Sequence, residues 1–206
     1  MDTILLYDTE TNGLPQWSLP SEDPSQPHVT QLAAELCDER SGNTIAMMDV
    51  LIKPDNWTIP DDLAELTGIT TERALAEGIP LSDALQQFTR MWRRAAMRVG
   101  HNESFDARML RIEYFRVLPI DDPFHDEWKG GAAFCTQGKS TKILNLPPTA
   151  KMLAAGRKHA KSPNLGEAYQ HFTGRQLEGA HNAAVDLAAT KAVYYGIKRA
   201  LAGKAA

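Results

Sequence analysis

Tyr7-Asp8-Thr9-Glu10-Thr11-Asn12-Gly13 closes the first apolar run of the chain with two carboxylates one residue apart. Successive strand side chains alternate faces, so Asp8 and Glu10 project together from the strand end. Carboxylates held this close repel, and one takes up a proton unless a cation neutralises them. A hard divalent ion with oxygen ligands, Mg²⁺ or Mn²⁺, suits an all-carboxylate set. Two later runs extend the chemistry: His101-Asn102-Glu103-Ser104-Phe105-Asp106, and Ala180-His181-Asn182-Ala183-Ala184-Val185-Asp186. An Asp-x-Glu, a Phe-Asp and a His-x4-Asp, in that order, suit a site where two metal ions hydrolyse a phosphodiester.

Each run alone is weak, and together they are specific. Within one regular helix His181 and Asp186 would stand roughly 140° apart, because five residues turn through about 500°. They therefore cannot share a helix face. If His181 sits just ahead of the helix, with Asn182 as its N-cap, Asp186 points in from the first turns; the alternative is a helix-start histidine without chemistry, the reading favoured by this run alone. A histidine on a mobile element beside a metal site suits a general base. Asp106 opens a helix behind Phe105. The acid can serve a second metal and the ring a nucleobase, or the pair can be a surface cap and a core residue. The remaining histidines lack ligand spacing, and Trp17, Trp57, Trp92 and Trp128 read as core or loop anchors.

The elements that must position these residues alternate between strand and helix patterns. Thr3 to Tyr7 reads as the first, central strand, and Val29–Cys37 with Ile45–Ile52 as two hairpin-paired strands around Ser41-Gly42-Asn43. Pro60-Asp61-Asp62 opens a short helix ending near Gly68. Helices are predicted over Ser82–Met97 and Ser104–Phe115, with a brief strand at Arg98–His101 between them. Residues 119–148, rich in Pro and Gly, read as a long irregular functional loop. Short helices follow at 149–155 and 164–172. A final helix from Asn182 to Leu201 carries the stripe Val185, Ala189, Val193, Ile197 and Leu201.

At 206 residues the chain suits one well-buried α/β domain. Its 43% hydrophobic and 23% charged content is ordinary for a soluble protein. No run approaches a membrane span and no secretory signal opens the chain, so a cytoplasmic location is expected. Cys37 and Cys135 lack metal-type spacing and read as free thiols. A net charge of -4 argues against a protein that coats nucleic acid electrostatically. Lys129 to Lys161, however, holds seven of the 22 basic residues and none of the 26 acidic ones. That stretch fits either phosphates approaching one side of an acidic site or a solvated loop.

On these residues the sequence resembles the DEDDh 3′–5′ exonucleases, a family that includes RNase T, oligoribonuclease and the proofreading subunit of bacterial replicative polymerase. The likeness covers roughly residues 4–200 and all five signature positions: Asp8, Glu10, Asp106, His181 and Asp186. It extends to Leu66-Thr67-Gly68-Ile69-Thr70, to Asn164-Leu165 with Tyr169, and to Gly179-Ala180-His181-Asn182-Ala183. Thr67 stands where many relatives carry His. The resemblance implies a single domain over 1–206 with an α/β, RNase H-like fold: a mixed five-stranded sheet, its second strand antiparallel, flanked by helices. It further implies two divalent metal ions, Mg²⁺ or Mn²⁺. Asp8, Glu10 and Asp186 would hold one, Asp8 and Asp106 the other, with His181 as general base. Thr11, Gly13, Leu14, Phe105 and His181 would contact the terminal nucleotide.

The expected activity is release of nucleoside 5′-monophosphates from the 3′ end of single-stranded DNA. The alternatives are an exoribonuclease of the RNase T or oligoribonuclease type, or an inactive nucleic-acid-binding or polymerase-associated module on the same fold. Five of five signature residues argue against an inactive copy, which has no reason to keep a repulsive acidic cluster. A DNA polymerase is the candidate protein partner. The short segment after the last helix favours an enzyme that works alone.

Overall fold

The computed structural model describes residues 2–203. Five strands form one mixed sheet: β1 (Thr3–Thr11), β2 (Val29–Asp38), β3 (Thr44–Leu51), β4 (Met97–Gly100) and β5 (Ala133–Cys135), in the order β3-β2-β1-β4-β5. β1 pairs antiparallel with β2 and parallel with β4; β2–β3 is antiparallel and β4–β5 parallel. This is the predicted sheet, with β1 at its centre. Nine helices are described: α1 (Asp61–Thr67), α2 (Thr71–Glu77), α3 (Leu81–Trp92), α4 (Glu103–Val117), α5 (Phe124–Gly130), α6 (Thr136–Leu144), α7 (Ala150–Ala154), α8 (Leu165–Thr173) and α9 (Ala183–Ala202). No described helix is long and apolar enough to cross a membrane. Cys37 and Cys135 are unpaired.

The alternation of β1 decides what each helix meets. Leu5 and Tyr7 enter the larger core with Phe88, Met91 and Trp92 of α3, Met109 and Leu110 of α4, and Trp128 of α5. Ile4 and Leu6 point the other way, onto Ala183, Leu187 and Tyr194 of α9. Continued two residues at a time, the α9 face carries Asp8 and Glu10, and the α4 face carries Thr9. β4 pairs with only Ile4 to Leu6, so the acidic end of β1 runs on beyond its parallel neighbour. A register shift between Glu10 and Thr11 marks a bulge there, a device that re-aims side chains beside sites.

Three expectations are corrected. Residues 119–148 are not an irregular loop but hold α5, β5 and α6. A strand of three residues and helices of seven and nine are too short for a periodic signal. Burial of Trp128, 1% exposed, fixes α5 to the core, with its Nε1 donating to the Ala107 carbonyl at 3.0 Å. The helix predicted to reach Met97 stops at Trp92, because the Ala96 N–H joins the Thr3 carbonyl and Met97 enters β4. α2, missed in the sequence, is seven residues held by a Thr70 cap on the Arg73 N–H. The predicted stripe of α9 packs on Ala168 of α8 through Val193 and Ile197 but leaves Leu201 48% exposed, and the sheet is met by a different face, Leu187 and Tyr194.

Beneath the site lies a buried ion pair that sequence periodicity does not announce. Arg98 of β4 donates its Nε to Glu103 Oε1 at 2.5 Å, and the Tyr7 hydroxyl donates to the same oxygen at 2.8 Å. The guanidinium also meets the Trp128 carbonyl and lies 4.3 Å from the Trp128 ring centre. Removing one partner of a buried pair strands the other charge. Glu103→Ala is therefore expected to cost about 3–5 kcal/mol of stability. A denaturant midpoint within 1 kcal/mol of wild type, by the usual order of surface pairs, would show that solvent screens the pair.

Candidate active site

Asp8, Glu10 and Asp186 each present a carboxylate oxygen, and these oxygens all lie within 4.8 Å of one another. Two local causes bring them together. Asp8 and Glu10 share the α9 face of β1, and Asp186 sits in the first turn of α9, whose start is fixed to the sheet. The Ala183 N–H donates to Gln31 Oε1 at 3.1 Å, tying that helix end to β2. Asn182 caps the helix, the role open to it in the sequence, its side chain accepting from the Ala184 and Val185 N–H groups.

His181 lies outside the helix with φ +67°, an uncommon left-handed conformation for a residue with a Cβ. Its backbone N–H donates to Asp186 Oδ2 at 3.0 Å. The imidazole is exposed and makes no hydrogen bond among the described residues. Asp186 Oδ1, by contrast, is buried with no hydrogen-bond partner. A buried carboxylate oxygen left unpaired beside two further carboxylates is the donor set a hard cation completes.

Asp106 stands apart from this triad. It is buried in the first turn of α4, and its Oδ1 accepts from the Thr9 N–H at 3.0 Å and the Thr9 hydroxyl at 2.7 Å. The Thr9 clamp was not legible in the sequence, although strand alternation toward α4 was its signal. Asp106 remains close enough to act on the others electrically. Burial raises Asp8 well above the usual carboxylate range, and the charges of Asp106, Asp186 and Glu10 push it further. Glu10 is pushed up to about 7 by burial and then by Asp186 and Asp106. Burial brings Asp106 to about 7 although both Thr9 hydrogen bonds oppose the shift. Asp186 is raised by burial, against the N–H of His181.

The other residues expected to meet a terminal nucleotide lie at the end of β1, on the loop that follows it and in the first turn of α4. The Thr11 hydroxyl donates to the Gly13 carbonyl at 2.8 Å, which turns the chain after β1. Leu14 follows with 80% of its surface exposed, an apolar side chain held out in solvent. Phe105 is half-buried against the larger core, so part of its ring is structural. Of the tryptophans expected as anchors, Trp92 and Trp128 are in the core and Trp57 stacks on His28 at 4.7 Å. Trp17 does not comply, being 61% exposed.

A central strand ending in acids, set in a β3-β2-β1-β4-β5 mixed sheet between helices, is the architecture of the RNase H-like fold. The chain belongs to the RNase T family of exonucleases, whose family model matches residues 5–194. Among solved structures it is similar to Escherichia coli exonuclease I in complex with a dT13 oligonucleotide (21% identity, TM-score 0.71, 96% of this chain and 41% of that one). The same enzyme with a dA16 oligonucleotide gives 20% identity, TM-score 0.71 and coverage of 97% and 41%. A moderately thermophilic exonuclease I from Methylocaldum szegediense gives 22%, TM-score 0.71, 97% and 41%. The chain thus spans about two fifths of these relatives' length. Comparison with curated proteins finds no match.

Proposed function

We propose that this chain is a single exonuclease domain that removes nucleoside 5′-monophosphates from the 3′ end of single-stranded DNA. The observation that carries the reading is the convergence of Asp8, Glu10 and Asp186 within 4.8 Å in a chain of this family. The exonuclease I relatives bound to DNA oligonucleotides support the choice of DNA. Asp8, Glu10 and Asp186 would hold one divalent cation, and Asp8 with Asp106 a second. Bound there, Mg²⁺ or Mn²⁺ would neutralise the carboxylates and act as Lewis acids on the attacking water and the leaving 3′-oxygen.

The protein's own groups supply the rest. The His181 imidazole, exposed and without a hydrogen bond among the described residues, takes the proton from the attacking water as it swings over the site. The backbone of the same residue meanwhile holds Asp186. Thr9 fixes the orientation of Asp106, so that this acid needs no reorganisation when substrate arrives. Thr11, Gly13, Leu14 and the open part of Phe105 receive the terminal base and sugar. Digestion of matched 5′-labelled DNA and RNA oligonucleotides with Mg²⁺, Mn²⁺ or EDTA tests the proposal. DNA shortened from its 3′ end only with metal is the expected result. Faster cleavage of RNA would replace the substrate, and undiminished cleavage in EDTA would end the metal mechanism.

The basic stretch has a separable test. Six of its seven cations are exposed, whereas Lys161 is paired with Glu167. Lys139 lies 5.6 Å from the Phe134 ring centre, and Lys142 occupies the last turn of α6. If Lys139, Lys142 and Lys158 steer the strand, neutralising all three is expected to lower the salt slope of binding by about 2, at about 0.7 per phosphate lost. An unchanged slope would leave these lysines as a solvated surface.

A further inference from the structure

The outer face of α4 carries cations that the site described above does not use. Ser104, Ala107, Arg108 and Arg111 fall at i, i+3, i+4 and i+7, one stripe of the helix. Together with Trp17 and Lys129 they line a pocket of about 250 Å³. Arg108 and Arg111 make no ion pair among the described residues. Arg108 Nε is buried without a hydrogen-bond partner. Burial and then the adjacent Arg108 charge make Arg111 easier to deprotonate, with Glu22 opposing. Glu103, the carboxylate that lines the pocket, is taken up by Arg98, so two mutually repelling guanidiniums held in no ion pair form a place for an anion.

Each arginine does have a structural task. Arg108 donates an Nη2 hydrogen to the Leu19 carbonyl at 2.5 Å, and Arg111 Nε donates to Ser21 Oγ at 2.8 Å, tying the 15–28 loop to α4. Those ties use one donor apiece of the five that a guanidinium offers. They also leave Trp17 unexplained. That ring is 61% exposed on the tied loop, with the Arg108 guanidinium 5.9 Å from its centre. A solvent-facing indole beside two unpaired guanidiniums combines a stacking surface with phosphate donors, the pairing that single-stranded nucleic acid requires. The stripe begins one residue before Phe105 and runs about 10 Å from Ser104 to Arg111 at 1.5 Å per residue. That length matches about three stacked nucleotides at 3.4 Å each.

We propose that this face is a second subsite for the strand: Trp17 stacks on a base and Arg108 with Arg111 grip phosphates a few nucleotides upstream of the 3′ end. The subsite rests on the exonuclease reading and gives that reading a length preference. The test measures binding of 5′-labelled dT2, dT4 and dT8 in EDTA to wild type, Trp17→Ala and the double variant Arg108→Gln/Arg111→Gln. A parallel arm follows wild-type cleavage with Mg²⁺. Wild type is expected to bind dT8 more tightly than dT2, and each variant to weaken dT8 binding about tenfold, the order of one lost stacking partner. The double variant is expected to lower the salt slope by about 1.4, two contacts at about 0.7 each, whereas Trp17→Ala keeps the slope. Trp17 is exposed and ties nothing, so its variant carries the test even where the arginine pair proves necessary for folding. Wild-type dT8 affinity in Trp17→Ala, an unchanged slope in a folded arginine variant, or equal wild-type binding of dT2 and dT8 overturns the subsite alone. Wild type that neither binds nor cleaves any oligonucleotide overturns the proposed function as well.

Discussion

Asp8→Asn is expected to abolish detectable hydrolysis while leaving the metal-free protein folded and more stable. Asp8 is the carboxylate on which the charges of Asp106, Asp186 and Glu10 converge. Removing its charge takes away a shared oxygen ligand and relieves the repulsion at once. The same crowding sets a pH dependence. Glu10 and Asp106 titrate near 7 in the fold, against about 4.3 and 3.9 in an unfolded chain. Between those limits the folded state holds protons that the unfolded chain has released, so stability falls as pH rises. These acids thus stabilise the metal-free protein fully only below about pH 4, and that stability is lost progressively as pH rises from about 4 through 7. Mg²⁺ should restore it above pH 7, and Asp8→Asn should flatten the curve. Melting temperatures measured against pH with and without Mg²⁺ check each part. Near-wild-type cleavage by Asp8→Asn would remove the carboxylates from the reaction.

His181→Ala is expected to slow cleavage by about 10²–10⁴-fold, the usual range for a positioned general base. The backbone of residue 181 holds Asp186 through its N–H, and alanine retains that donor. Affinity for the cation should therefore stay near wild type, because the acidic triad keeps its geometry. The rising acidic limb of the pH–rate profile should disappear in the variant. A variant that loses Mg²⁺ affinity together with its rate would make the histidine a ligand, and the base would have to be sought elsewhere. His181→Gly is a useful companion. It relieves the left-handed backbone at φ +67° without restoring an imidazole, so it separates strain from proton transfer.

The particular residues show what can be read in one dimension. Strand alternation alone required Asp8 and Glu10 to share a face, and helix rotation alone kept His181 and Asp186 off a common helix face. Asn182 was a candidate cap by residue type, and the structure has it there. Alternation and rotation are local rules with a fixed period, so they survive without knowledge of the fold. The central strand was equally legible, since a run buried on both faces has no other place in a sheet.

Tertiary structure alone decided which helix each face of β1 would meet. Asp186 therefore joins Asp8 and Glu10, while Asp106 is taken up by Thr9 across the sheet. It also decided that 119–148 would fold as α5, β5 and α6. Their order comes from docking, through Trp128 in the core and Ala133 paired beside Arg98, and not from any period in their own residues. Trp17 shows the same division. Its composition suggested an anchor, but the arginine ties of α4 hold its loop so that the ring faces solvent. Sequence fixes what a residue can do through its chemistry and near neighbours; which distant partner claims it is settled by packing, where burial and hydrogen bonding between remote segments outweigh local preference.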